Sequence, residues 1–111
     1  MLCLFVTAGG ERLAIPVSRV VEVIPAVRMH QSAAGSTWLA GMFRYRGAVT
    51  PVLDLDRLAT GDSVPMRLST RIVILDVPSP SGLKRLGLLA ERLTDLREFV
   101  AAGPSYAVPA P

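Results

Sequence analysis

The sequence predicts an all-β domain, a small barrel or sandwich, and three observations predict it. Short runs of aliphatic and β-branched residues recur along the chain, separated by Gly, Pro and Ser turn signals. One run, RIVILDV at 71–77, is apolar on both faces, as a central strand must be. No segment carries a sustained helical stripe. With 111 residues, half of them hydrophobic, the chain suits one compact domain with a real core.

The elements follow in order. Leu2 to Thr7 is a strand, Ala8-Gly9-Gly10-Glu11 supplies turn chemistry, and Arg12 to Val17 returns with Leu13, Ile15 and Val17 on one side. Pro16 has no N–H to donate, so that second strand is an edge or ends there. Ser18 to Ile24 reads as one turn, which Ser18 could cap, then a β-branched strand broken at Pro25. Residues 28–36 are a loop, and Thr37-Trp38-Leu39-Ala40 a short helical turn. Met42 to Arg46 and Ala48 to Leu55 form a second hairpin around Gly47, with Pro51 marking a bulge or an edge. A short helix over Asp54 to Ala59 and a loop over 60–65 lead to the central strand, in which Ile72 and Ile74 face one way and Val73 and Leu75 the other. PSPSG (78–82) is a turn, Lys84 to Ala90 a strand, and Leu93 to Phe99 a last short element. The division is a domain over residues 1–100 and a Pro/Ala-rich tail over 101–111.

Composition excludes several functions. No stretch approaches the roughly 18 apolar residues of a membrane span, and the apolar opening MLCLFVTAGG lacks a basic flank, so it reads as a strand rather than a signal peptide. One cysteine, Cys3, forbids an internal disulfide, and the expected location is the cytoplasm. Net charge is +3, carried almost wholly by arginines that are interleaved with acids. That pattern reads as surface solvation or as a protein interface, where arginine is the favoured cation, before it reads as a nucleic-acid footprint.

Catalytic chemistry is hard to assemble. His30 stands alone in a polar loop, and Cys3 falls in a presumed buried strand. Neither metal-ligand spacing nor a phosphate-cradling loop is present. Asp54 and Asp56 could do acid–base or magnesium work, but their place between a strand and a short helix favours capping. What remains is GMFRYRGAVTPVLDL, residues 41–55. Gly47 permits a tight turn. On a strand, Arg44 and Arg46 share one face and Phe43 and Tyr45 the other. Spacing alone leaves it even whether those arginines pair locally with acids or project toward a partner.

This segment resembles the central signature of the CheW coupling proteins of bacterial chemosensory systems: a Gly, an N-x-R-G turn, then an apolar strand with a proline that ends in D-L. Gly41, Arg46, Gly47, Pro51, Asp54 and Leu55 match. GGERLAIPVSRVVEVI (9–24), with Glu22, is similar to the family's opening hairpin. RIVILDV (71–77) and LGLLAERLTDL (86–96) resemble its later paired strands. The resemblance implies two small intertwined SH3-like five-stranded barrels with a groove between them. It implies a non-enzymatic scaffold without cofactor or metal, cytoplasmic and associated with receptor arrays. Its partners would be a CheA-type histidine kinase and the cytoplasmic tip of a methyl-accepting chemoreceptor. Carried over by motif, Arg46 is a contact or organiser at the receptor groove, and Val20, Glu22 and Gly41 match positions implicated in partner binding. Arg44 and Gly47, in the same turn segment, are expected at that partner surface too. Against these roles stand core packing for Val20 and a local arginine ion pair for Glu22.

Two departures matter. The asparagine of N-x-R-G is Arg44 here, a variant similar to those in coupling proteins of alternative chemosensory pathways. Family members also continue past the proline-rich stretch with an apolar hairpin that closes a barrel. Without that hairpin the second barrel is expected to be incomplete, with an open edge inviting strand exchange, homodimerisation or poor solubility. The competing function is a small basic β-barrel that binds single-stranded nucleic acid, motivated by Phe43 and Tyr45 beside arginines.

Overall fold

A computed structural model of the chain describes residues 1–8, 11–30, 39–60 and 67–98. The elements are β1 (Leu2–Ala8), β2 (Glu11–Pro16), a 3-10 turn (Val17–Arg19), β3 (Val20–Pro25), β4 (Leu39–Tyr45), β5 (Ala48–Leu53), α1 (Leu55–Thr60), β6 (Arg71–Ser79), β7 (Gly82–Ala90) and β8 (Arg92–Glu98). The all-β expectation is met. The strands form two sheets, one in the order β2-β1-β8 and one in the order β3-β6-β7-β5-β4. The chain leaves the smaller sheet after β2, builds the whole larger one, and returns as β8, so the two are intertwined. The larger sheet has the five strands that the resemblance implies, and the smaller has three among the described residues. The turn glycines Gly9 and Gly10, the segments 31–38 and 61–66, and the tail at 101–111 lie outside the described residues.

β6 explains the two-layer core. Ile72, Val73 and Ile74 are wholly buried. Strand alternation sends Ile72 and Ile74 into a cluster with Ala40, Tyr45, Val52 and Leu89. It sends Val73 the other way, against Val6, Ile15, Leu88 and Ala90. The first cluster fills the inner face of the five-stranded sheet, and the second glues the sheets together. Burying each such side chain contributes about 1.5–3 kcal/mol, so this strand anchors both layers.

Several local expectations need correction. Leu39 and Ala40 begin β4 rather than a helical turn, because Leu39 pairs with Leu53 across a register shift before Gly41. Ser18 sits inside the 3-10 turn, whose N-cap is Pro16 with no side-chain cap bond. Of PSPSG, Pro78 and Ser79 remain in β6 opposite Leu83 and Gly82, and Gly82 begins β7 at φ +113°, which leaves Pro80-Ser81 as the turn. β5 is an interior strand, so Pro51 marks no edge. Pro51 lies opposite Met42, whose N–H and C=O both bond to His30 on the far side. That pair is therefore a non-bonded one, and β4 asks nothing of the proline nitrogen. Toward β7, where the missing N–H would be felt, the parallel ladder contains only Val52–Gly87 and Leu53–Leu88.

The helix-capping expectation holds. Asp54 is 1% exposed, and its Oδ1 accepts from the backbone N–H groups of Asp56 and Arg57 at 3.0 and 3.2 Å. One carboxylate thus satisfies the first free donors of α1.

Candidate functional site

The site forms where the edges of the five-stranded sheet meet. No backbone ladder joins β3 to β4 among the described residues, yet side chains bridge them. β3 has a register shift between Val20 and Glu22. Val20 therefore pairs with Leu75 and packs toward the inter-sheet core, while Glu22 lies opposite Ile74 on the inner face and reaches the rim. β4 carries Tyr45 to the same rim. The β4–β5 turn is Arg46-Gly47, with φ of 49° and 81°. Two consecutive positive-φ residues mark the tight hairpin whose twist matches its strands, and the second position is a glycine.

Three side chains converge there. The Tyr45 hydroxyl donates to Glu22 Oε1, and Arg46 Nη2 donates to the same oxygen at 3.1 Å. The Arg46 guanidinium lies 5.1 Å from the centroid of the Tyr45 ring. Arg85 of β7 approaches that ring at 5.8 Å and is held by Asp76, its cross-strand partner, at 3.0 Å. Each cation over the ring adds a modest electrostatic attraction. Phe43 stacks edge-on to Tyr45 at 6.2 Å between centroids and continues into the inner core. The result is a charged plug over the mouth of the curled sheet, with an aliphatic floor beneath.

Exposure separates the roles. Tyr45 is buried, whereas the Arg46 and Glu22 side chains are 61% and 43% exposed. An ion pair so open to water contributes only about 0–1 kcal/mol to stability. Its effect is to hold a guanidinium at a fixed place on the surface. The expected strand alternation fails at this point. Arg46 is a turn residue and folds over the tyrosine, while Arg44 points to the opposite face and donates through Nη1 to the carbonyl of Gly47 at 2.9 Å. Of the two alternatives left even by spacing, local pairing with an acid is realised in Arg46, whose side chain nonetheless stays exposed.

Of the six residues expected at a partner surface, Glu22, Arg46 and Gly47 come together here. Arg44 sits beside them on the other face. Val20 is half-buried in the inter-sheet core. Gly41 is buried, and a Cβ there would stand 2.8 Å from Met29 Cβ and 3.0 Å from the His30 carbonyl oxygen. Tyr45, Asp76 and Arg85 complete the cluster without having been singled out as site residues. Placing the β6–β7 turn at Pro80-Ser81 would have put Asp76 opposite Arg85; Tyr45 carries no comparable signal. Phe43 and Tyr45 are turned inward and offer no stacking surface, so nothing in this geometry favours single-stranded nucleic acid.

The hydrogen bond to Glu22, ahead of burial, holds the Tyr45 phenol above its ordinary pKa; Arg46 and Arg85 pull the other way. A phenol that keeps its proton more tightly when folded stabilises the fold fully below the unfolded tyrosine value of about 10. That stabilisation is lost as pH rises through the raised folded value. Tyr45→Phe should therefore flatten the alkaline loss of stability measured by urea unfolding across that range. Parallel alkaline profiles for the two proteins would refute the coupling.

A family model described as CheW-like domain matches residues 2–107. The chain is 28% identical over 68 residues to protein PilI of Pseudomonas aeruginosa, a match covering 61% of this chain and 38% of PilI. Its structure is similar to the crystal structure of the scaffolding protein TtCheW from Thermoanaerobacter tengcongensis, with a TM-score of 0.75 and 17% identity, covering 89% of this chain and 62% of TtCheW. The matched regions thus span less than two thirds of either relative. At that identity the structural likeness concerns the fold.

Proposed function

Since the chain belongs to the CheW-like domain family, whose members are scaffolds of chemosensory systems, we propose that it couples a chemoreceptor's cytoplasmic tip to a CheA-type histidine kinase without catalysing a reaction. The observation that carries this reading is the exposed Arg46 guanidinium, fixed by Glu22 and Tyr45 at the rim of the five-stranded sheet. A partner that meets a pre-positioned arginine avoids much of the side-chain ordering cost of binding. Arginine also bonds carboxylates through two parallel N–H groups, which gives orientation as well as affinity.

The two sheets give the chain separate surfaces, as a protein that must hold two partners at once requires. Asp54 is committed to capping and Cys3 is buried, which supports a non-catalytic role. No helix among the described residues is long and apolar enough to cross a membrane. On this reading the protein works in the cytoplasm and reaches the membrane through receptor arrays. The Arg44 departure is compatible with a kinase of an alternative chemosensory pathway, such as one governing surface behaviour.

Arg46→Glu tests the assignment. The reversal sets two carboxylates against each other at the rim and removes the cation. Affinity for the receptor tip, measured by titration calorimetry, should fall about tenfold or more, equivalent to roughly 1.4 kcal/mol, with a near-native melting curve. An unchanged affinity in a folded variant would remove Arg46 from the site.

A further inference from the structure

Opposite the face that bears Tyr45 and Glu22, the five-stranded sheet is covered at one end by the β1–β2 hairpin and emerges toward its turns. Val73, Leu88 and Leu53 lie in the covered part. Four residues away along each strand, on the same face, stand Val77, Lys84 and Val49. Arg44 pairs with Val49, and Val77 pairs with Lys84. The β5–β7 ladder runs over Val52–Gly87 and Leu53–Leu88; extending that register by three residues would bring Val49 level with Lys84. Across β6, β7, β5 and β4 this gives one row in the order Val77, Lys84, Val49, Arg44.

All four side chains are exposed, Val49 by 62% and Val77 by 36%. Among the described residues no acid pairs with Lys84 or Arg44. Within those residues the row thus alternates an exposed aliphatic with a cation that no acid pairs. Neighbouring strands lie about 4.8 Å apart, so the row steps by that amount and spans roughly 14 Å.

We infer that this row is a docking surface for an acidic amphipathic helix of another protein, laid across the strands. Same-face residues of a helix, three or four positions apart, recur at about 5–6 Å, and ten residues rise about 15 Å. A helix with leucine, glutamate, leucine and glutamate at that spacing sets an apolar side chain on each valine and a carboxylate on each cation. An extended segment repeats on one face every ~6.6 Å and drifts out of step within two contacts. Nucleic acid would satisfy the cations and leave both valines uncovered, with no aromatic side chain on the row for its bases. The row and Arg46 occupy opposite faces, so two partners can be held together. The inference stands whether or not Arg46 meets a receptor.

The test is amide chemical-shift mapping of the whole chain with a synthetic helical peptide carrying Leu, Glu, Leu and Glu at its first, fourth, eighth and eleventh positions. Shifts should cluster at Arg44, Val49, Val77 and Lys84. Lys84→Glu should weaken binding at least tenfold, and Arg46→Glu should leave it unchanged. A peptide with lysines in place of the glutamates should not bind. Absence of shifts with the folded chain, shifts confined to the Glu22–Arg46 face, or indifference to Lys84→Glu would overturn the inference. Shifts on the row from a single-stranded oligonucleotide but not from the peptide would assign the surface to nucleic acid and overturn it too.

Discussion

A valine at position 41 is expected to cost the fold about 3 kcal/mol, read as a fall of roughly 15 °C in melting temperature. Gly41 lies where the chain after β3 crosses β4. A Cβ there would meet Met29 Cβ at 2.8 Å and the His30 carbonyl oxygen at 3.0 Å. The side-chain neighbour is the root of Met29, not its flexible end, and the backbone neighbour is anchored. His30 and Met42 exchange two hydrogen bonds, of 2.8 and 2.9 Å, which fix their separation. Relief would require breaking that bridge and its two hydrogen bonds. The sequence resemblance leads one to expect a partner-binding role for this glycine, whereas the geometry gives it a steric duty. The two accounts separate experimentally: a native melting curve with lost partner affinity would restore a direct contact role.

Ile74→Ala should cost about 3–4 kcal/mol, measured by urea unfolding. Ile74 is wholly buried and packs among Tyr45, Val52, Ile72 and Leu89. It lies opposite Glu22 on β3 and Gly87 on β7. Truncation leaves a void in the floor beneath the charged plug. Gly87 cannot grow to fill it, because any Cβ there would stand 2.7 Å from Ile72 Cγ2. The variant should therefore weaken partner binding even where it remains folded, as the tyrosine beneath Arg46 loses support. A loss under about 1 kcal/mol would mean that the curled sheet collapses onto the gap.

Much of this architecture is legible in the residues. RIVILDV announces a strand buried on both sides, and the structure uses its two faces for two separate cores. Asp54 announces a cap. The Arg46-Gly47 hairpin follows from one glycine between two apolar runs. The failures have identifiable causes. Pro51 suggests a bulge or an edge because it lacks a donor. A register shift does lie beside it, opposite Val52 and Leu53, but the edge fails, since a proline can occupy an interior strand if the bond it cannot make is one its neighbour does not need. Leu39-Ala40 suggests a helical turn by composition, and pairing with Leu53 overrides that preference. The charged plug was the least accessible feature. Glu22 and Tyr45 are distant in sequence and belong to strands at opposite edges of one sheet, so their contact depends on curvature, which no local pattern encodes.

The pairing of β1 with β8 bears on how quickly the chain can fold. Leu4 meets Leu96, so the smaller sheet joins the most distant segments described. The β1–β2, β4–β5 and β6–β7 hairpins are local and can form early. The third strand of the smaller sheet must wait for a loop that contains the entire larger one, and closing it costs entropy before any contact repays the cost. Until then β1 presents an unpaired backbone edge beside Leu2 and Leu4, a window in which another chain can pair with it. Slow completion of that sheet, and concentration-dependent losses during refolding, are the kinetic consequence of this topology.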